Sequence, residues 1–194
     1  KLPLFATSKS GYKSLIGLSS KSYLETDDKT EPHCKITELE KFSNDLILLS
    51  GNHHGLFGKL FKLNKLKQIK KIFKELKNTF KDRFYIEIQR HNEIDEEIYE
   101  TFLIQLSREF EIPIVASQEV FYLDKDMYEA HDALTCIGEK AFVEDNSRVK
   151  LSDQHFIKDN NELRKLFKDI PEALENNYNF PFRFSFKPKK SNPI

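Results

Sequence analysis

The residues able to do chemistry fall into three short runs. Gly51-Asn52-His53-His54-Gly55 sets two adjacent imidazoles in a glycine-bracketed loop, Gln89-Arg90-His91-Asn92 carries a third, and Ser117-Gln118-Glu119 adds a carboxylate. Imidazoles and carboxylates gathered at one place can hold a small ligand or a metal ion. Each run also has a plainer reading. Gly51 and Gly55 would supply unusual backbone angles for a turn whose imidazoles face water. His33 beside Cys34 invites a metal reading, but no second pair follows at metal-site spacing, so an ordinary solvated loop is expected.

What would bring the three runs together is the apolar segment in front of each. Leu46 to Ser50 (LILLS), Phe84 to Ile88 (FYIEI) and Ile114 to Ala116 are compact apolar strand candidates, and the last shows no polar alternation, as in a parallel strand covered on both faces. Pro113 can begin a strand but not sit inside one. α/β sheets place ligands in the loops at the carboxyl ends of their strands, so His53, His54, His91 and Glu119 are expected on one rim. The stretch Ile112 to Ile137 compresses strand, loop and helix into one unit. Asp124 is its expected N-cap, and Met127, Ala130, Leu134 and Ile137 form its apolar stripe. His131 falls near the buried side of that helix, where a hydrogen-bonded core or capping imidazole is expected rather than a ligand.

The remaining segments supply the covering. Leu2 to Ala6 reads as a first strand, Thr7 to Ser10 as a turn, and Gly11 to Leu24 as a helix with Tyr12, Leu15, Ile16, Ser19 and Tyr23 on one side. Thr37 to Phe42 is at most a short helix. Leu63, Leu66, Ile69, Phe73, Leu76 and Phe80 recur at helical intervals and predict one long amphipathic helix. Its other faces carry lysines from Lys59 to Lys81, which could track a phosphate backbone or simply face solvent. A helix from Asp95 to Phe110 should bury Ile98, Phe102, Leu106 and Phe110. Leu151 to Phe156 is expected as a short strand, Asn160 to Lys168 and Pro171 to Tyr178 as helices, and Phe180 to Ile194 as a Pro- and Lys-rich exit. Strands alternating with helices call for a parallel sheet.

Composition agrees with a globular chain. Of 194 residues 39% are hydrophobic and 32% charged, enough to bury a real core. Thirty-one basic and 31 acidic side chains cancel, so nothing global argues for nucleic acid or membrane. No apolar run approaches the roughly 20 residues needed to span a bilayer, and a soluble, intracellular chain is expected. Cys34 and Cys136 are too few for a disulfide framework and read as free thiols. The chain opens on Leu2-Pro3-Leu4-Phe5-Ala6 as though a strand were already under way, the mark of an excerpt from a longer protein.

Several runs resemble a known family. GYKSLIGLSSKSYLE, LILLSG, DRFYIEIQRH, IPIVASQEVFYLDKDMYEAHDALTCI and LFKDIPEALENNYNF, in that order, look like the PHP (polymerase and histidinol phosphatase) domain at the start of the alpha subunit of bacterial replicative DNA polymerase III. The closing SFKPKKSNPI resembles the passage from that domain toward the polymerase core. The resemblance implies an α/β fold, a distorted seven-stranded (β/α) barrel with a helical C-terminal extension. The barrel would be incomplete at the N-terminus, because the family's His-x-His opening segment would precede Lys1. The implied divisions are a barrel portion over 1–140, the end of the domain with its helical extension over 141–180, and a linker over 181–194.

In metal-binding members the loop after the strand at Ile114 resembles Asn-Asp-Val-His-Tyr, whose Asp and His are ligands of a three-metal cluster. Laid on this sequence, those positions are Glu119 and Phe121. A glutamate can still offer an oxygen, but a phenyl ring has no lone pair. His91 matches the metal histidine of the family's Gln-Arg-His motif. The family's ligand after the second strand, often Cys, would lie near Asn52, with His53 or His54 as possible substitutes. What is implied is a vestigial site of His91 and Glu119, with His53 and His54 as further candidates. No cofactor is expected here; zinc or manganese would bind if the site is retained, and magnesium would serve only the polymerase core outside these residues.

Two functions follow from the resemblance. In the first, the domain is a noncatalytic scaffold that supports the rest of the polymerase alpha subunit and docks a proofreading exonuclease subunit. Other replicase subunits, and DNA, would be met through the full-length protein, in the bacterial cytoplasm and away from membranes. In the second, the barrel keeps its metals and hydrolyses phosphoesters, as a phosphoesterase or a 3′-5′ exonuclease. An unrelated α/β barrel whose rim histidines hold a small molecule is a third reading. No carboxylate pair here resembles a two-metal polymerase site, so nucleotidyl transfer itself lies elsewhere, and no residue is assigned to nucleic-acid contact. An incomplete barrel further implies an unpaired, association-prone edge beside Leu4.

Overall fold

The computed structural model describes residues 1–27, 30–145, 147–148 and 150–189. Strands form where the apolar segments predict them: β1 (Leu4–Ala6), β2 (Leu46–Leu49), β3 (Phe84–Ile88) and β4 (Ile114–Ala116), joined in one sheet in that order. Every residue of β2, β3 and β4 is buried. These three run parallel, with Leu48 beside Phe84 and Ile86 beside Ile114. β1 corrects the all-parallel expectation, because it lies antiparallel to β2 with Leu4 opposite Leu48. The helices α1 (Lys9–Leu24) and α2 (Ile36–Phe42) pack on each other, so the chain doubles back before it enters β2. β1 therefore has a partner on one side and remains the sheet edge on the other. The class is α/β, with four strands among the described residues rather than seven.

One sheet face carries the main core. The helix α4 (Leu66–Phe80) buries Ile69, Phe73, Leu76 and Phe80 against β2 and β3. Phe57, from α3 (Leu56–Lys62), meets Phe73 edge-on at 4.6 Å, and Phe73 meets Phe84 at 5.3 Å. Each such ring contributes about 1.5–3 kcal/mol by leaving water. The single long helix expected from Leu63 onward is two helices: Asn64 takes a left-handed backbone (φ 55°), which turns the chain and leaves Leu63 exposed. The helix α5 (Glu96–Phe110) buries Tyr99, Phe102, Leu103 and Leu106, and Ile98 faces solvent instead. On the other sheet face Ile47, Leu49, Tyr85 and Val115 are covered by Phe180 and Phe184 of the C-terminal segment.

Two helices present a different face from the one their apolar pattern suggested. In α1 the buried residues are Gly11 and Leu18, while Tyr12, Ile16 and Tyr23 are exposed. A Cβ at Gly11 would come within 2.1 Å of the Asp45 carbonyl oxygen, so the missing side chain lets the helix roll onto the 43–45 turn. In α6 (Tyr128–Glu139) the buried residues are Asp132 and Cys136, and Met127, Leu134 and Ile137 point outward. The Asp132 carboxylate accepts both arms of the Arg148 guanidinium, at 2.6 and 2.5 Å, and both side chains are almost fully buried. Splitting a buried pair costs more than exposing a leucine, and the pair decides which way the helix faces. Asp124 makes no side-chain cap; a short 3₁₀ turn, Lys125–Met127, precedes the helix instead.

The C-terminal helices finish the sheet. In α8 (Pro171–Asn179) the Asn176 amide donates to the Ile114 carbonyl (2.7 Å) and the Asn177 amide to that of Ala116, so the outer edge of β4 is satisfied by side chains instead of another strand. Arg90, just past β3, donates to Glu100 of α5, to Asp169 and to the Leu166 carbonyl at the end of α7 (Asn160–Leu166), and lies 4.9 Å over the Phe167 ring. The strand expected over Leu151 to Phe156 reduces to one bridge between Tyr122 and Phe156. Of the expected linker, residues 190–194 lie outside the described residues. No helix among the described residues is long and apolar enough to cross a membrane.

Two outcomes follow from these ion pairs. Arg90→Ala leaves Glu100 and the Leu166 carbonyl without their donor, and should cost about 3 kcal/mol, read as a lower urea midpoint at unchanged slope. The Arg148 guanidinium holds the Asp132 carboxyl below its usual value. A carboxyl depressed in the folded state stabilises above its unfolded pKa of about 3.9 and loses that contribution as pH falls through the folded value. The melting-point gap between the parent chain and Asp132→Asn should therefore be constant above pH 5 and shrink on acidification below about pH 4; a gap independent of pH would show that the pair does not set it.

Candidate metal centre at the carboxyl ends of the strands

The loops that leave β2, β3 and β4 converge. After β2, Gly51 adopts φ 80°, a left-handed turn suited to glycine. Gly55 does not share that conformation (φ −75°); it is the N-cap of α3, contrary to the expectation that both glycines supply unusual angles. Between them His53 is buried and His54 is half exposed. After β3, Asn92 and Asp95 are both left-handed, at φ 57° and 65°, and fold the 91–95 loop back on itself. Glu96, in the first turn of α5, accepts the His91 backbone N–H at 2.9 Å on both carboxylate oxygens and so anchors the loop. Burial pushes the Glu96 carboxyl up, against those hydrogen bonds.

Glu93 is the centre of the arrangement. Its Oε2 lies 2.5 Å from Nε2 of His54 and 3.3 Å from Nδ1 of His53, and its Oε1 lies 3.4 Å from Nε2 of His155. The donor atoms of His53, His54 and Glu93 all fall within 4.8 Å of one another, a group that could hold a metal ion. His155 and His54 hold the Glu93 carboxyl down to about 2, overcoming its burial. Burial lowers the His53 imidazole, keeping it in the neutral form that ligates metals. Neither ring nitrogen of His53 has a hydrogen-bond partner, and neither does Nε2 of His155. These buried nitrogens without partners, beside a carboxylate, suit a single divalent ion of the kind the three-residue group could take.

His91 lies under this group rather than in it. Its ring stacks on His155 at 4.1 Å and 2°. Its Nε2 accepts the Glu119 backbone N–H at 3.3 Å, which occupies the lone pair a metal would use. Burial, His155 and Lys158 depress it to about 4, so it is neutral. Glu119 enters through its backbone: the N–H goes to His91, and the carbonyl accepts from Nδ1 of His155 at 2.9 Å. Phe121, on the same loop, stands 5.3 Å from the His155 ring and 5.3 Å from that of His131. His131 is thus held by aromatic contacts with Phe121 and Tyr122, not by the hydrogen bond expected of it.

Of the residues singled out from the sequence, His53 and His54 reach the group, while His91 and Glu119 support its floor. Glu93 and His155 were missed. Glu93 follows His91 by two residues in a polar run, and its loop position carried a usable signal. His155 had none: it lies far along the chain, in a segment read as a strand. Tyr99 lines the same pocket, and its buried hydroxyl has no partner. Tyr99→Phe removes that unsatisfied group and should leave stability unchanged or raise it by up to about 1 kcal/mol; a loss above that in chemical denaturation would mean the hydroxyl is bonded.

Comparison with known proteins fits this arrangement. Residues 1–91 match the PHP domain profile. Across its whole length the chain is 36% identical to the DNA polymerase III subunit alpha of Caulobacter vibrioides, covering 17% of that protein. It is 35% identical over 98% of its length to the subunit of Rickettsia prowazekii, covering 16%, and 36% identical over 90% to that of Borreliella burgdorferi, covering 15%. The chain spans about a sixth of the length of the curated relatives it matches. Residues 1–91 carry a PHP domain, and the chain belongs to the DNA polymerase III alpha subunit family as the portion that holds that domain.

Proposed function

We propose that this chain is a noncatalytic PHP scaffold within a DNA-directed DNA polymerase of the bacterial cytoplasm, supporting the polymerase core and docking a proofreading exonuclease subunit. In the full-length subunit the four-stranded sheet belongs to a seven-stranded barrel, with 1–140 in the barrel, 141–180 closing the domain and 181–194 leading toward the core. Nucleotidyl transfer, its magnesium ions, the DNA contacts and the remaining replicase partners belong to the rest of that protein.

The observation that carries this reading is Phe121. It stands where metal-binding members of the family have an imidazole, and its ring packs against His155 and His131. A hydrolytic cluster shares ligands between ions, so a phenyl ring in place of one donor weakens every ion. His91, the other ligand implied by resemblance, spends its lone pair on the Glu119 N–H. With Glu119 they make a vestigial site. The His53, His54 and Glu93 group fits one zinc or manganese ion, which when bound would supply a local positive charge. Those residues orient and neutralise one another, and no second group beside them is arranged to aim water at a phosphodiester.

The full-length subunit, purified without chelator and free of the exonuclease subunit, should show no 3′-5′ degradation of a labelled primer in zinc or manganese while extending it normally in magnesium. Metal-dependent degradation that His91→Ala abolishes, with extension retained, would establish the alternative, a proofreading PHP phosphoesterase.

A further inference from the structure

We propose that His155 is a donor to a divalent ion seated on the Glu93 carboxylate together with His53 and His54, so that the ion fastens the 151–157 segment to the loops after β2 and β3. The scaffold reading is its frame, since a site closed by four protein donors keeps no open position for water or substrate.

The case begins with the tautomer. A carbonyl oxygen only accepts, so the 2.9 Å contact from Nδ1 of His155 to the Glu119 carbonyl puts the ring proton on Nδ1. Nε2 is left with a bare lone pair. That atom is buried in a side chain 1% exposed, has no hydrogen-bond partner, and points at Glu93 Oε1 from 3.4 Å. An imidazole lone pair facing a carboxylate oxygen is repulsive unless a cation lies between them. His53 repeats the situation on the other carboxylate oxygen, 3.3 Å from Oε2 and equally without a partner. With metal–ligand bonds of about 2.0–2.1 Å, neighbouring donors of a tetrahedral ion stand about 3.3–3.4 Å apart. Both separations meet that value.

The surroundings hold His155 as ligating imidazoles are held. Its outer nitrogen is tied to a backbone carbonyl, the usual partner that fixes a ligand's ring. His91 lies flat against one side of the ring and Phe121 borders it. His54 brings its Nε2 to the same carboxylate from the solvent side, in a hydrogen bond an ion would replace. Three imidazoles and one carboxylate favour zinc over magnesium or calcium, which take oxygen.

The test uses the full-length polymerase subunit. It is stripped of metal, dialysed against zinc, measured for bound zinc by elemental analysis, and then loaded with cobalt(II) for visible absorption. Expected are one zinc per chain, the intense visible bands of four-coordinate cobalt, and affinity at least about 10- to 100-fold weaker in His155→Ala. Circular dichroism establishes that the variant is folded. His54→Ala removes a half-exposed donor with little effect on packing, and should weaken binding similarly. A zinc-free parent chain, or zinc affinity and cobalt spectrum unchanged in His155→Ala, would overturn the proposal, leaving His155 as a protonated partner of Glu93 and the scaffold reading intact. Zinc bound through His155 together with zinc-dependent phosphodiester cleavage would uphold the ligand and overturn the scaffold reading.

Discussion

The constraint on which the rest depends is that β2, β3 and β4 are buried on both faces. One face meets the phenylalanines of α3 and α4, and the other meets Phe180 and Phe184. Such strands cannot carry polar groups along their length without partners, so the chemistry is displaced to their carboxyl ends. The transition is visible within β3. Glu87, one residue before its end, is buried, and its carboxylate accepts from the Ser117 hydroxyl and the Gln89 amide while its N–H donates to the Ser50 hydroxyl. One row further on, the three loops carry the imidazoles. The site is therefore a consequence of register: each loop begins where its strand can no longer be covered.

A second level of organisation comes from a few charged pairs that override apolar periodicity. Arg90 leaves β3 and gathers α5 and the 166–169 turn around one guanidinium. Asp132 and Arg148 rotate α6 so that its leucine and isoleucine face out. This follows from magnitudes. Exposing an aliphatic side chain forfeits about 1.5–3 kcal/mol, whereas a buried charge stripped of its partner costs about 3–5. When the two conflict, the charge prevails.

That ranking explains what was legible in the sequence. β2, β3, β4, the core face of α4 and the Pro171 helix were readable because burial alone decides them, and period and composition report burial directly. The misread faces belong to helices where one residue changes the geometry: Gly11 through the side chain it lacks, Asn64 through a left-handed turn, and Asp132 through a partner sixteen residues away. The antiparallel β1 depends on how two helices pack, which no local pattern encodes. In the site the same division holds. His53, His54 and His91 follow strands closely and were placed on the rim from that alone. His155 comes to the rim by tertiary folding, through the contact of Tyr122 with Phe156, and only coordinates reveal that its ring lies on His91.

Phe121 also changes how the remaining imidazoles should be understood. A buried polar atom without a partner costs about 1–3 kcal/mol, and His53 and His155 between them hold three such nitrogens. In a domain whose only requirement was to be a stable block, leucine or phenylalanine at those positions would avoid that cost, as Phe121 does at its own. The neighbouring groups do not behave as relics either: the Glu119 carbonyl orients His155, Glu96 fixes the backbone at His91, and two left-handed residues hold Glu93 in place. Backbone in that conformation is itself unfavourable for residues other than glycine. The part of the family's site that depended on position 121 has been converted to packing, whereas the part centred on Glu93 retains both its donors and the scaffolding that aims them. An arrangement that keeps unfavourable groups in ordered positions is one in which those groups still have something to bind.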